Sequence, residues 1–218
     1  MHHQKRNNLW LGQSELILAM LFAVACVLLF LAFPLSGASQ DRTIQGLTTL
    51  IVFLFIAPIS YVKFILKKPL TTLGFSWKNK QAGFFWGGLM LIVSLGIAIA
   101  IAKTPLARIF ALPAGIASSF GLFLLYEVVL ANLVLFVLEF FFHGFIFSAL
   151  QTTFKGWAIL IAGVLFIGFL AVTGNLRWAV IALLGGVVAY KSRSFVFAYI
   201  MSFAFMIFFD TYLIFISK

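Results

Sequence analysis

Charged residues are scarce in this chain of 218 residues: they make up 9% of it, against 64% for hydrophobic residues. Soluble domains carry roughly a quarter charged residues, so the composition excludes an ordinary water-soluble domain. Basic residues outnumber acidic ones by 15 to 5, but they cluster beside long apolar runs. Cytoplasmic loops and anionic lipid headgroups account for such clusters. We therefore expect the lipid bilayer, and not nucleic acid, as the partner.

Cysteine is nearly absent as well, because Cys26 is the only one in the chain. An internal disulfide is excluded, and no cysteine–histidine metal spacing exists. Cys26 lies within an apolar run, as a small core residue would. The sequence also lacks a glycine-rich phosphate loop, a GxSxG elbow, an HExxH pair and an evident internal repeat. It therefore carries no signature of the enzyme classes that those motifs define.

Long apolar runs are abundant, and seven of them approach the roughly 20 residues that a helix needs to cross a hydrocarbon core of about 30 Å. They cover residues 16–33, 47–66, 82–102, 119–149, 157–173, 178–190 and 194–216. The pattern predicts an all-α, multi-pass transmembrane bundle of about seven helices, the sixth being the shortest. The first run is longer than the core of a signal peptide, so we expect it to remain as a helix. Gly83, Gly87 and Gly88 predict a close helix contact for the third run.

The basic residues predict an orientation in the membrane. With the amino terminus inside, the inner segments hold ten Lys and Arg residues and the outer segments hold five. The positive-inside rule then favours a cytoplasmic amino terminus, with residues 63–80 as a cytoplasmic loop near the headgroups.

We expect residues 1–66 to form an amino-terminal helix pair and residues 67–218 a helical core. Together they make one integral domain, which we assign to a bacterial cytoplasmic membrane.

Three acids, Glu127, Glu139 and Asp210, lie within the apolar runs. An acid in a transmembrane helix is costly, so it is expected to face the interior and marks a candidate functional site. Glu139 and His143 are four residues apart and share one helix face. That spacing fits either a mutually satisfied pair between helices or a shared ligand site. Glu127 and Asp210 form either a proton-carrying or ion-binding couple, or unpaired structural acids near one interface.

Four segments between about Lys67 and Phe209 carry a further pattern. They read KKPLTTLGFSWKN, LEFFFHGFIFSALQ, WAILIAGVLFIGFL and GGVVAYKSRSFVFAYIMSFAFM. In order and spacing they resemble the CPBP family, the CAAX prenyl protease and bacteriocin-processing (Abi) group of intramembrane metalloproteases. The first is similar to the start of that family's third helix, and the others to its EExxxR, FxxxH and HxxxN helices. The resemblance implies a CPBP-like helical core.

The residues equivalent to the family's catalytic motifs mostly differ from them. The positions are Leu138, Glu139, His143, Phe166, Leu170, Ser202 and Met206. In the family the first glutamate is thought to activate water, and two histidines hold the metal. Leu138 stands at the first-glutamate position and Leu170 at the first-histidine position. Leucine can neither activate water nor bind a metal. The resemblance therefore implies a catalytically degenerate member with no bound metal.

Three functions follow, and whether the protein is an enzyme stays open. The leading one is a membrane scaffold that binds a membrane protein, a membrane-embedded peptide or a prenyl-like chain. The alternative is an active metalloendopeptidase with zinc at a relocated site on Glu139 and His143, joined by Ser202 or Asp210. The third is a small transporter or ion-coupled subunit that uses Glu127 and Asp210. The third lacks the broken helices in matching positions that transporters show.

Overall fold

The computed structural model describes residues 12–33, 35, 39–105, 115 and 119–216. These residues form seven helices and contain no strand. The helices are α1 (Gln13–Ala32), α2 (Ser39–Ile51, continued by further helical turns to Ile65), α3 (Lys80–Ala102), α4 (Phe120–Phe154), α5 (Trp157–Val172), α6 (Ala179–Ser192) and α7 (Phe195–Ile216). Each predicted apolar run corresponds to one of them, so the all-α prediction is confirmed.

Five of the helices, α1 to α4 and α7, are long and apolar enough to cross a membrane. The other two are shorter, with 16 residues in α5 and 14 in α6. At 1.5 Å per residue, these two helices measure about 24 Å and about 21 Å, less than a hydrocarbon core of about 30 Å. The five long helices identify the chain as an integral membrane protein. Of the seven described helices the sixth is the shortest, as predicted.

The longest helix, α4, extends over 35 residues. Two π-helical segments, Tyr126–Ala131 and Phe140–Ile146, interrupt its regular hydrogen bonding. π segments occur frequently at functional sites, and α2 contains two more, Val52–Ile56 and Tyr61–Ile65, without a candidate site residue. Glu127 lies in the first segment of α4 and His143 in the second. The sequence predicts this helix but not its π segments, and the segments carry two of its polar intramembrane residues.

Small residues allow α3 to pack closely on α7. A Cβ atom at Gly83 would overlap the Phe197 ring, and one at Gly87 would lie 3.9 Å from the Cβ atom of Met201. Both glycines therefore lie at the helix contact that the sequence predicts. The prediction is wrong for Gly88, where an added Cβ atom would have nothing within 4 Å. Gly88 lies on a different face of the helix from the other two.

The first helix packs against both α2 and α4. The Phe22 ring stacks on Tyr61 with centroids 4.4 Å apart, and its centroid lies 6.3 Å from that of Phe145. Near the start of α1, Lys68 donates a hydrogen bond to Glu15 at 2.9 Å. Cys26 is buried in this contact region, as expected for a core residue.

Candidate functional site

Glu139 and His143 lie side by side on α4, inside the bundle. Glu139 is 0% exposed and His143 is 1% exposed. The Nδ1 atom of His143 is 2.5 Å from the Oε2 atom of Glu139. The contact and the burial are those expected from the spacing of the two residues and from the cost of placing either in lipid.

Each polar side-chain atom of this pair has a partner within the protein. Ser202 on α7 donates a hydrogen bond from its Oγ atom to Oε1 of Glu139 at 2.6 Å. The Nε2 atom of His143 donates to the carbonyl oxygen of Ala182 on α6 at 2.9 Å. We name Glu139, His143 and Ser202 the Glu139 cluster, which joins α4 to both α6 and α7.

Hydrogen-bond chemistry fixes the net charge of the Glu139 cluster. A carbonyl oxygen can only accept, so the Nε2 atom of His143 must carry a hydrogen. The short contact between Nδ1 and Oε2 then needs one more proton, which the two atoms share. Whichever atom holds that proton, the histidine and the glutamate together are neutral. A neutral pair with all its polar atoms bonded is suited to the apolar interior.

Two consecutive glycines of α6 make room for the imidazole ring. A Cβ atom at Gly185 would lie 2.8 Å from Cε1 and 3.2 Å from Nδ1 of His143. One at Gly186 would lie 3.5 Å from Nε2. The absence of side chains here lets the ring approach the α6 backbone and reach the carbonyl of Ala182. The sequence places these glycines in a helix but does not connect them with His143.

The positions equivalent to the CPBP motifs are all buried. Leu138, Phe166, Leu170, Ser202 and Met206 are each at most 1% exposed. Phe166 on α5 lies beside His143, with ring centroids 5.6 Å apart. It also stacks on Phe142 with centroids 4.5 Å apart. Among these five residues, Ser202 has the one polar side chain, and it bonds to Glu139.

The donor atoms of the Glu139 cluster do not fit a zinc site. Zinc takes three or four nitrogen, sulfur or oxygen ligands from a protein. The cluster offers one imidazole and one carboxylate, and both nitrogens and both oxygens are already bonded within the protein. In the part of the chain that the structure describes, no three His, Cys, Asp or Glu residues come together as a metal-binding group.

A second group of buried polar residues surrounds Glu127, which lies on α4 twelve residues before Glu139. At 1.5 Å per residue the two glutamates are about 18 Å apart along the helix axis. Arg177, in the short 3₁₀ turn before α6, donates a hydrogen bond to Asp210 on α7 at 3.3 Å and another to the Tyr126 hydroxyl at 2.7 Å. Its guanidinium carbon also lies 4.9 Å from the centre of the Trp178 ring. We name Tyr126, Glu127, Arg177 and Asp210 the Arg177 cluster.

Two members of the Arg177 cluster are not predicted as site residues from the sequence. Arg177 enters there only as a loop residue counted for orientation, and Tyr126 not at all. The structure buries Arg177 to 7% exposure and pairs it with Asp210. The suggestion that Asp210 is an unpaired acid is therefore wrong. The sequence carries no clear signal for this pairing, because an arginine at the end of an apolar helix can equally reach the lipid headgroups.

Comparisons of the chain with family models, with curated proteins and with solved structures find no match. The site therefore has to be interpreted from its own geometry. Two buried polar clusters are present, and each links α4 to α7 and to the α6 region. The Glu139 cluster is bonded throughout, whereas the Arg177 cluster contains two carboxyl groups and one guanidinium.

Proposed function

We propose that this protein is a non-catalytic membrane scaffold with a CPBP-like core, which binds a partner membrane protein or a membrane-embedded peptide. The observation that supports the proposal most is the closed hydrogen bonding of the Glu139 cluster. A hydrolytic carboxylate must be free to take a proton from water, and metal-binding nitrogens must be free to bind metal. In Glu139 and His143 these atoms bond to one another, to Ser202 and to Ala182.

Helix length supports the partner-binding part of the proposal. A helix shorter than the hydrocarbon core is accommodated by bilayer thinning or by association with other helices. The short helix α5 exposes Leu160 and Val164, at 47% and 62%, on its outer surface. Gly168 is one turn further along, with open space beside it. This face, which we name the α5 face, offers a partner helix close approach.

Restoring the motif residues tests the non-catalytic part of the proposal. The variant combines Leu138→Glu, Leu170→His and Ser202→His. We expect it to bind zinc when the purified wild-type protein in detergent does not, because the three changes supply the missing donors. The matched control places Gln, Asn and Asn at the same positions, which adds polarity without an acid or an imidazole. Zinc in the wild type, with cleavage of a membrane peptide, would instead support the metalloendopeptidase alternative.

A further inference from the structure

Glu127 is buried without a hydrogen-bond donor. Its side chain lies on the first π segment of α4 and is 1% exposed. Neither of its carboxyl oxygens accepts a hydrogen bond from a donor group of the residues that the structure describes. The side chain within hydrogen-bonding reach of it is the carboxyl group of Asp210, which cannot donate when it is ionised. A buried ionised carboxylate without a donor is strongly unfavourable. Glu127 therefore requires a ligand that compensates its charge.

The groups that act on Glu127 are the other members of the Arg177 cluster. Asp210 on α7 and Arg177 both interact electrostatically with it. Tyr126, its neighbour on α4, interacts with all three. The guanidinium donates hydrogen bonds to Asp210 and to the Tyr126 hydroxyl. With both carboxyl groups ionised, the cluster would carry one negative charge in excess.

A proton satisfies this site better than a metal cation does. A metal cation at Glu127 would be repelled by the guanidinium of Arg177, whose charge already acts on the same two carboxyl groups. It would also need several further oxygen ligands. A proton needs only one carboxyl oxygen to hold it and one to accept its hydrogen bond. The neighbouring carboxylate of Asp210, which Arg177 keeps paired, is such an acceptor.

We propose that Glu127 and Asp210 form a proton-binding site, in which Glu127 carries one exchangeable proton and donates it in a hydrogen bond to the carboxylate of Asp210. With that proton the Arg177 cluster is neutral, and without it the cluster has one net negative charge. Arg177 follows the exposed Asn175 by two residues, so the cluster lies close to an end of the bundle, where a proton can reach it. The inference stands independently of the scaffold function.

Proton uptake at this site would strengthen the contact between α4 and α7. The folded protein keeps a proton on Glu127 that an unfolded chain, with an ordinary glutamate, releases at neutral pH. The folded state then binds more protons than the unfolded state, so stability falls as pH rises. One proton corresponds to a tenfold change in the unfolding equilibrium constant for each pH unit.

Thermal unfolding in detergent micelles from about pH 5 to about pH 8 tests this proposal, over the range where an ordinary glutamate is ionised. The variant Glu127→Gln remains neutral at every pH, and its amide can donate to Asp210 as the acid does. We expect the melting temperature of the wild type, relative to that of Glu127→Gln, to fall with rising pH. Taking the difference removes contributions that the two proteins share, including those of Glu139 and His143. Parallel pH curves for the two proteins would overturn the proposal.

Infrared spectroscopy provides a second test that does not require Glu127→Gln to fold. In a Glu139→Gln background, the acid remaining inside the protein that can hold a proton is the Glu127–Asp210 pair. We expect the carbonyl stretch of a protonated carboxylic acid at neutral pH in that background. Its absence would overturn the proposal. So would stabilisation of the wild type, but not of Glu127→Gln, by sodium or potassium ions, because a cation would then occupy the site.

Discussion

The Glu139 cluster and the Arg177 cluster are built from the same helices but differ in their charge balance. Each draws on a π segment of α4, on one residue of α7 and on a contact with the α6 region. In the Glu139 cluster the proton shared by histidine and glutamate leaves no net charge and no polar atom without a partner. In the Arg177 cluster one guanidinium faces two carboxyl groups. The same helix arrangement thus supports a closed structural contact at one depth and a ligand-requiring site at the other.

The largest effect is expected from breaking the closed cluster. Glu139→Ala removes the partner of both the His143 imidazole and the Ser202 hydroxyl, and leaves them buried. Removing one partner of a buried ion pair costs about 3–5 kcal/mol. Unfolding in detergent should show a loss of that order. Adding His143→Leu should recover part of it, because the remaining imidazole is then removed as well. Additive losses in the double variant would contradict the pairing of the two residues.

A smaller loss is expected from filling the space that the imidazole occupies. In Gly185→Ala the new methyl group would lie 2.8 Å from Cε1 of His143, so the ring must shift and its bond to Ala182 must weaken. Overpacking of this kind costs about 1–3 kcal/mol. The matched control is Gly168→Ala on α5, where the methyl group meets open space. Equal melting temperatures for the two variants would show that the α6 backbone does not confine His143.

In the Arg177 cluster, the loss of a single acceptor should have a still smaller effect. Tyr126→Phe removes the hydroxyl that accepts the 2.7 Å hydrogen bond from Arg177. We expect a loss of about 1 kcal/mol, typical of one hydrogen bond, because Arg177 keeps its bond to Asp210 and its contact with Trp178. The pH dependence attributed to Glu127 should persist in this variant, since both carboxyl groups remain. Its disappearance would contradict the assignment of that pH dependence to Glu127.

The smallest effect on stability is expected from substitutions on the outer surface, which test partner binding at the α5 face. A photo-crosslinking residue at Val164 lies on the α5 face, and one at Phe208, 59% exposed on α7, serves as the control. In native membranes we expect one discrete protein adduct from position 164 and lipid adducts alone from position 208. Lipid adducts alone from both positions would contradict partner binding at the α5 face.

The sequence predicts the Glu139–His143 contact but not the Arg177–Asp210 contact, and the difference has a physical reason. Glu139 and His143 are close in sequence, so helix geometry alone places them in contact. Arg177 and Asp210 lie on different elements. Hydropathy places Asp210 within an apolar run and Arg177 in a loop, and it shows for neither which residue it meets. The π segments of α4 are likewise missed, because a bulge changes hydrogen bonding without changing the apolar pattern. The seven apolar runs are predicted well, because the hydrocarbon thickness sets the length of a spanning helix.

The exposure of Gly88 illustrates the same limit on a smaller scale. Glycine frequency predicts that α3 has a closely packed face, and Gly83 confirms it through Phe197. Which consecutive glycine faces the neighbouring helix depends on the rotation of α3 about its axis. That rotation is set by side chains on α7, which lie more than a hundred residues later in the chain.

The most direct test of the central claim, that the Glu139 cluster is a closed polar contact and not a metal centre, is the zinc content of the purified wild-type protein. It is measured in detergent after exposure to zinc and removal of the unbound ion, beside Glu139→Ala treated in the same way. We predict no zinc above background in either protein, because the nitrogens and oxygens of the cluster bond to one another and to the protein. Near-stoichiometric zinc in the wild type that is lost in Glu139→Ala would contradict the claim.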